Sequence, residues 1–311
     1  MSAATLCGAL LAACDAPLST LDPAGPNADE IRFLWLVMFW GATAISLMVF
    51  ALALYVSFAG NRPIAPVRAL VWGGGGALPI VTLTVLLVLG VRAGDAIASR
   101  DDSATQVDIT GHRWWWEVAY SDDAGRKLYS ANEVHIPAGR PVRFNIRSND
   151  VIHSFWIPRL SGKVDAIPGI TNVLTISAFT PGVYRGLCAE FCGAQHARMS
   201  FAVHAHDEDT LRTRMQQLAS SARKPPAAFE RHCGTCHASN PHDRRHAIAA
   251  PNLSDMPIRR SIGAGALPNN SSALRDWITQ HQRIKPGNRM AVFNGDANDL
   301  DEIVAFLEPR K

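Results

Sequence analysis

The stretch Cys188-Ala189-Glu190-Phe191-Cys192-Gly193-Ala194-Gln195-His196-Ala197-Arg198-Met199 decides how the middle of this chain is read. It places two thiols, an imidazole and a thioether on one short loop, a set of soft and borderline donors that suits copper. One cysteine, one methionine and two histidines would make a mononuclear blue-copper centre. With the cysteine doubled, the spacing points to two metals bridged by two thiolates. Sharing one electron over two ions would spread the charge change and lower the reorganisation each transfer demands. A Cys188–Cys192 disulfide is the competing reading, and it leaves His196 and Met199 without a role. Zinc competes less well, because methionine is not among its ligands.

The loop supplies one histidine where two are needed. His153, in Asp150-Val151-Ile152-His153-Ser154-Phe155-Trp156-Ile157-Pro158, is the candidate for the second. Around these residues the chain reads as β-structure from about 103 to 207. Val142-Arg143-Phe144-Asn145-Ile146-Arg147 alternates apolar and polar with period two, as do parts of Asn172 to Phe179 and Met199 to His204. Turn signals fall between them at Pro137-Ala138-Gly139, Pro168-Gly169 and Pro181-Gly182. Short strands at this spacing predict an antiparallel sandwich or barrel.

Further towards the N-terminus, Phe33 to Asn61 and Ala69 to Val91 carry no charged residue. Roughly 20 apolar residues cross a bilayer as helix, so the spacing predicts a transmembrane hairpin within 15–95, with spans at about 33–59 and 69–91. Gly73-Gly74-Gly75-Gly76 in the second span would permit close approach of a partner helix and weaken the helix locally. Arg62 and Arg68 in the connecting loop place that loop in the cytoplasm by the positive-inside rule, and everything after the second span outside. Residues 1–14, ending Leu11-Ala12-Ala13-Cys14, read as a leader of the lipoprotein or ordinary cleaved kind, with lipidation of Cys14 open. No Lys or Arg precedes its apolar stretch. The net charge of +3, with both signs mixed along 311 residues, gives no basic tract for nucleic acid.

The copper-type loop resembles the binuclear copper loop, CuA, of cytochrome c oxidase subunit II: Cys, three residues, Cys, three residues, His, two residues, Met, with Glu between the cysteines. Val151-Ile152-His153-Ser154-Phe155 resembles that family's other ligand segment. Gly111-His112-Arg113-Trp114-Trp115-Trp116 resembles its aromatic cluster, and Lys163-Val164-Asp165-Ala166-Ile167-Pro168-Gly169 also matches. The resemblance spans about residues 20 to 207. It implies a cupredoxin-like Greek-key barrel whose copper ligands are His153, Cys188, Cys192, His196, Met199 and the backbone carbonyl of Glu190. It further implies a magnesium ion shared by the Glu190 side chain with subunit I, and Trp114 as the residue through which electrons arrive. Barrel packing is the other role open to the tryptophans, and the one expected of Trp115 and Trp116. One departure stands out: the family's acid near the start of the second span is absent, with no Asp or Glu from Gly60 to Val91. Proton uptake by that route is therefore not expected.

Residues 208–225 read as a linker, most clearly the small, basic, proline-containing Ser220 to Pro226. Cys233-Gly234-Thr235-Cys236-His237 then gives the c-type haem attachment pattern. Cys233 and Cys236 would form the thioethers and His237 would bind the iron. A redox or disulfide CxxC is the alternative. The sixth ligand should be a methionine. Lys285-Pro286-Gly287-Asn288-Arg289-Met290 resembles the methionine loop of small cytochromes c, which favours Met290 over Met256. Leu300, Ile303, Val304 and Leu307 predict a C-terminal helix packed on one face, with Asp299 and Glu302 at its start. Residues 226–311 should therefore be an all-α class I cytochrome c domain. The remaining histidines have no ligand spacing and read as surface or structural.

Together these features predict a subunit of a bacterial inner-membrane cytochrome-c oxidase. It would accept electrons from a cytochrome c or an upstream membrane complex at haem c. It would pass them by way of CuA to subunit I, where dioxygen reduction and proton translocation take place. A membrane-tethered carrier serving another reductase and a copper-delivery protein are the rival readings. A quinol oxidase subunit would lack the cysteine pair.

Overall fold

The computed structural model describes residues 16–58, 67–98, 104–122, 124–244 and 250–309. They fall into two compact units, Asn27–Ser99 and the combination of Met1–Pro26 with Arg100–Lys311. The 1–14 leader, Cys14 and Arg62 lie outside the described residues.

The smaller unit is helical. Helix α1 (Pro26–Phe58) opens on a proline, whose missing N–H is one of the unpaired first-turn donors in any case. Helix α2 runs as Val67–Ala69, a π-helical stretch Leu70–Ala77, and Leu78–Ala98. The π-helical stretch contains the four glycines, where helix preference is weakest. Both helices are long and apolar enough to cross a bilayer, and each extends beyond the span predicted from the sequence. Trp40, Leu47, Phe50, Ile80 and Leu83 are exposed along them, a continuous apolar surface that water would not tolerate.

The larger unit holds two five-stranded sheets. The first runs β3 (Lys127–Ala131), β2 (Trp115–Ser121), β1 (Thr105–His112), β5 (Val142–Ser148), β8 (Asn172–Ile176). The second runs β4 (Glu133–Pro137), β10 (Ser200–His206), β9 (Gly182–Cys188), β6 (His153–Trp156), β7 (Val164–Ala166). Strand β5 shows why the pairing register is fixed. Val142, Phe144 and Ile146 are fully buried while Arg147 is exposed, so a one-residue slip would exchange core for solvent. The inner faces meet in a core of Ile109, Trp116, Phe144, Phe155, Ile157 and Phe201. Each such side chain contributes about 1.5–3 kcal/mol on burial. This is the cupredoxin-like sandwich expected, with one correction. It is not purely antiparallel: β1 pairs β5 in parallel, and β4 pairs β10 in parallel. Each parallel pair joins strands distant in sequence, which local alternation of side chains cannot reveal.

The stretch expected as a linker is mostly helix. Asp207 caps α3 (Glu208–Ala219), accepting from the Thr210 amide, and Leu218 and Met215 pack on the barrel core. Only the residues after Ala219 up to Pro226 lack regular structure. Beyond them come α4 (Ala227–His232), α5 (Ser271–Ile284) and α6 (Ala297–Leu307). Phe229, Leu274, Ile278, Ile303, Val304 and Leu307 form their shared core, as the apolar spacing of α6 predicted. The cap of α6 is Asp296, which accepts from the Asp299 amide, three residues earlier than expected. Asp299 instead binds Arg231 and His232 at 2.5 and 2.8 Å.

Gly186 on β9 faces Phe201, and a Cβ there would lie 2.2 Å from the Phe201 ring. That ring is stacked on Phe155 at 4.2 Å and cannot retreat. Gly186→Ala is expected to cost about 1–3 kcal/mol through overpacking, read as a lowered midpoint of urea unfolding followed by tryptophan fluorescence.

Candidate metal centre

Three neighbouring strands assemble the donors. Cys188 ends β9 and points inward by the same alternation that buries Tyr184. Met199 immediately precedes β10, and the Cys188 amide donates to the Met199 carbonyl at 3.0 Å, closing the loop between them. Strand β6 pairs with β9 through Phe155 and Cys188, which delivers His153 from far away in sequence. Inside the loop, Gly193 adopts φ +112°, a conformation that L side chains rarely take. The His196 amide then donates to the Gly193 carbonyl at 3.0 Å.

The resulting cluster is compact. The Cys188 and Cys192 sulfurs are 3.9 Å apart, about twice a disulfide bond length. His153 Nδ1 lies 3.9 Å from Cys188 Sγ, and the Glu190 carbonyl lies 3.3 Å from it. His196 Nδ1 and Met199 Sδ lie 3.7 and 3.9 Å from Cys192 Sγ. Two sulfurs thus sit at the centre, each flanked by further donors. Cys188, Cys192, Met199 and His153 are buried, and His196 is half-buried with the Phe191 ring edge-on at 5.8 Å. A set of two thiols, two imidazoles, a thioether and a carbonyl in this arrangement fits a soft-metal pair and suits no hard cation. His153, Cys188 and Cys192 by themselves already bring their donor atoms within 4.8 Å of one another.

The electrostatics of the cluster follow from the contact between its sulfurs. The Cys192 thiol directed at Cys188 holds the Cys188 pKa far below that of an ordinary cysteine, and the same contact pushes Cys192 far up. The pair therefore gives up one proton readily and retains the second. Burial disfavours the His153 imidazolium, but Asp150 and the Cys188 sulfur outweigh it and raise its pKa.

Asp150 is a residue the sequence reading passed over. Its carboxylate accepts from His153 Nε2 at 2.8 Å and from the Arg113 and Val151 amides, each at 2.7 Å. Burial would raise its pKa, yet these bonds hold it well below the usual carboxylate range. With Nε2 engaged, the His153 ring presents Nδ1 to the sulfurs. Gly111 lies beneath the ring, where a Cβ would come within 2.8 Å of it. The only available signal was a carboxylate three residues before a strand histidine.

Of the tryptophans, Trp116 is fully buried in the core and Trp115 stacks on His112 at 4.4 Å. Trp114 differs. Its indole N–H donates to the Cys192 carbonyl at 3.0 Å, and its half-buried ring lies against Gly193.

In the helical region, Cys233 and Cys236 are free thiols on a single turn, and the His237 amide donates to the Cys233 carbonyl at 2.8 Å. His237 Nδ1 donates to the Pro251 carbonyl at 2.7 Å, which leaves its Nε2 lone pair for a metal. That geometry fits c-type haem attachment. Met290 is half-buried on a loop organised by Asn288, whose Oδ1 accepts from the Met290 amide at 3.0 Å and whose Nδ2 donates to the Lys285 carbonyl at 2.8 Å. Met256 instead lies in the helical core, with its sulfur 3.8 Å from the Arg259 guanidinium.

The family model for the periplasmic domain of cytochrome C oxidase subunit II matches residues 121–206. The cytochrome c oxidase subunit 2 of Alkalihalophilus pseudofirmus OF4 is 30% identical over 321 aligned positions, covering 94% of this chain and 91% of the relative. That of Bacillus sp. strain PS3 is 31% identical, over 74% of this chain and 71% of the relative. The crystal structure of the periplasmic domain of subunit II of cytochrome oxidase from Bradyrhizobium japonicum is 27% identical, with a TM-score of 0.36, over 39% of this chain and 96% of that one. The chain belongs to the cytochrome c oxidase subunit II family, the electron-transfer subunit of the haem–copper oxidases, which implies a copper centre and a subunit I partner.

Proposed function

We propose that this chain relays electrons from a covalently bound haem c, through a binuclear copper centre, to subunit I of a proton-translocating oxidase. The observation that carries this reading is the convergence of four further donors on two neighbouring sulfurs, with contacts of 3.3 to 3.9 Å. Cys188 and Cys192 would bridge the metals. His153, His196, Met199 and the Glu190 carbonyl would complete the set. Asp150 would orient His153, and the buried core would exclude water. When bound, the copper pair supplies a one-electron site with little rearrangement between its states. Cys233, Cys236, His237 and Met290 would hold the haem, with methionine raising its potential. The half-exposed Glu190 carboxylate, with Lys163 Nζ at 3.9 Å, would reach a magnesium ion at the subunit I contact.

On this reading α1 and α2 sit in the lipid of the bacterial inner membrane, and the β and helical regions face the periplasm. The electron donor is a cytochrome c or an upstream membrane complex. Trp114 supports the relay reading, because its indole is bonded directly to the backbone of a bridging cysteine.

In the full chain, Cys192→Ser is expected to abolish the multiline electron paramagnetic resonance signal of a shared electron while leaving the haem absorption intact. Persistence of that signal would sink the bridging assignment. Met290→Ala is expected to turn the haem high-spin, seen by visible absorption, whereas Met256→Ala should lower the unfolding midpoint and leave the haem low-spin. The reverse pattern would move the axial ligand to Met256.

A further inference from the structure

Lys285 is 3% exposed, yet among the described residues no carboxylate lies within ion-pair distance of it. An ammonium has three N–H donors, and here all three go to backbone carbonyls on three separate segments. Nζ donates to Trp114 at 2.7 Å, to Arg198 at 2.9 Å and to Gly263 at 3.1 Å. Trp114 and Arg198 belong to the copper-bearing barrel. Gly263 and Lys285 belong to the helical region, and Lys285 begins the loop that carries Met290.

Neighbouring contacts act in the same place. Gln195 Nε2 donates to the Pro286 carbonyl at 2.7 Å, and Arg198 donates to the Ile284 carbonyl. Gly287, at φ +79°, lies against the Trp114 ring, where a Cβ would sit 3.9 Å from the indole. The face of Trp114 towards the copper loop meets Gly193, also without a side chain. Trp114 is thus held between the two loops that would carry the haem methionine and the metal ligands.

Burying an ammonium with no carboxylate beside it is costly, and uncharged packing would seal an interface at lower cost. Three bonds to three segments fix their mutual position more tightly than apolar contact does. The geometry points to Lys285 as a positioning residue for the proposed electron transfer: it sets the pose of the Met290-bearing loop on Trp114, so that transfer runs in one fixed arrangement. The inference rests on the haem relay proposed above.

The test uses the full chain assembled with its oxidase, with the haem photoreduced by a flash and copper reduction followed optically. In the wild type, transfer should be a single phase independent of solvent viscosity. Lys285→Met should slow it several-fold and make it viscosity-dependent. The haem absorption and the copper paramagnetic signal should be unchanged, and Lys285→Arg should recover much of the rate. If Lys285→Met does not assemble, Lys285→Gln, shorter but still a donor, should give intermediate slowing. A wild-type rate in either neutral variant overturns the inference, as does slowing accompanied by an altered copper signal, which would mean that Lys285 only folds the copper loop. A wild-type chain with bound haem and copper but no transfer between them overturns the relay reading itself.

Discussion

Two sulfur atoms 3.9 Å apart in a largely dry pocket cannot both carry negative charge unless a cation lies between them. The opposed pKa shifts of Cys188 and Cys192 express that constraint in the protein alone. Metal binding would resolve it, because a soft cation takes the place of the retained proton. The barrel's part is to maintain the crowding. The pairing of β6 with β9, and of β9 with β10, leaves the thiols no room to separate, and Asp150 keeps the neighbouring imidazole turned towards them.

Much of this was legible in the sequence because it is local. The 188–199 loop holds most of the donors within one turn of chain, and the spacing of Leu300, Ile303, Val304 and Leu307 set the buried face of α6. His153 could be named only as the candidate for a missing second histidine; its approach to Cys188 depends on strand pairing that no window of sequence contains. The parallel pairs β1–β5 and β4–β10 escaped for the same reason. The helix at Glu208–Ala219 was missed because its segment is strongly polar, with only Leu218 fully buried, so its apolar period is faint. Lys285 left no trace at all: a lysine in a Pro-Gly loop reads as solvated until the third dimension surrounds it with carbonyls.

The barrel and the helical region meet through polar contacts that stretch well beyond Lys285. Glu133 accepts from the Arg260 and Ser261 amides at 2.7 and 3.1 Å, Ser130 donates to Asp255 at 2.6 Å, and Arg244 binds Glu117 at 3.0 Å. Glu133 and Glu117 are both buried carboxyls whose pKa values are raised, chiefly by burial. Such contacts specify orientation more than they add affinity. That would suit a joint that holds the proposed haem and copper sites at a set separation.

The capped helix α3 has a bearing on how the two regions find each other. Because Glu208–Ala219 is folded onto the barrel, the only slack is the short stretch from Ser220 to Pro226. At roughly 3.5 Å per residue, that stretch reaches about 25 Å at most. Were the joint to open, the helical region would stay at a millimolar-scale effective concentration beside its docking face. Reclosure would then be a first-order event, indifferent to dilution and to the abundance of any soluble carrier.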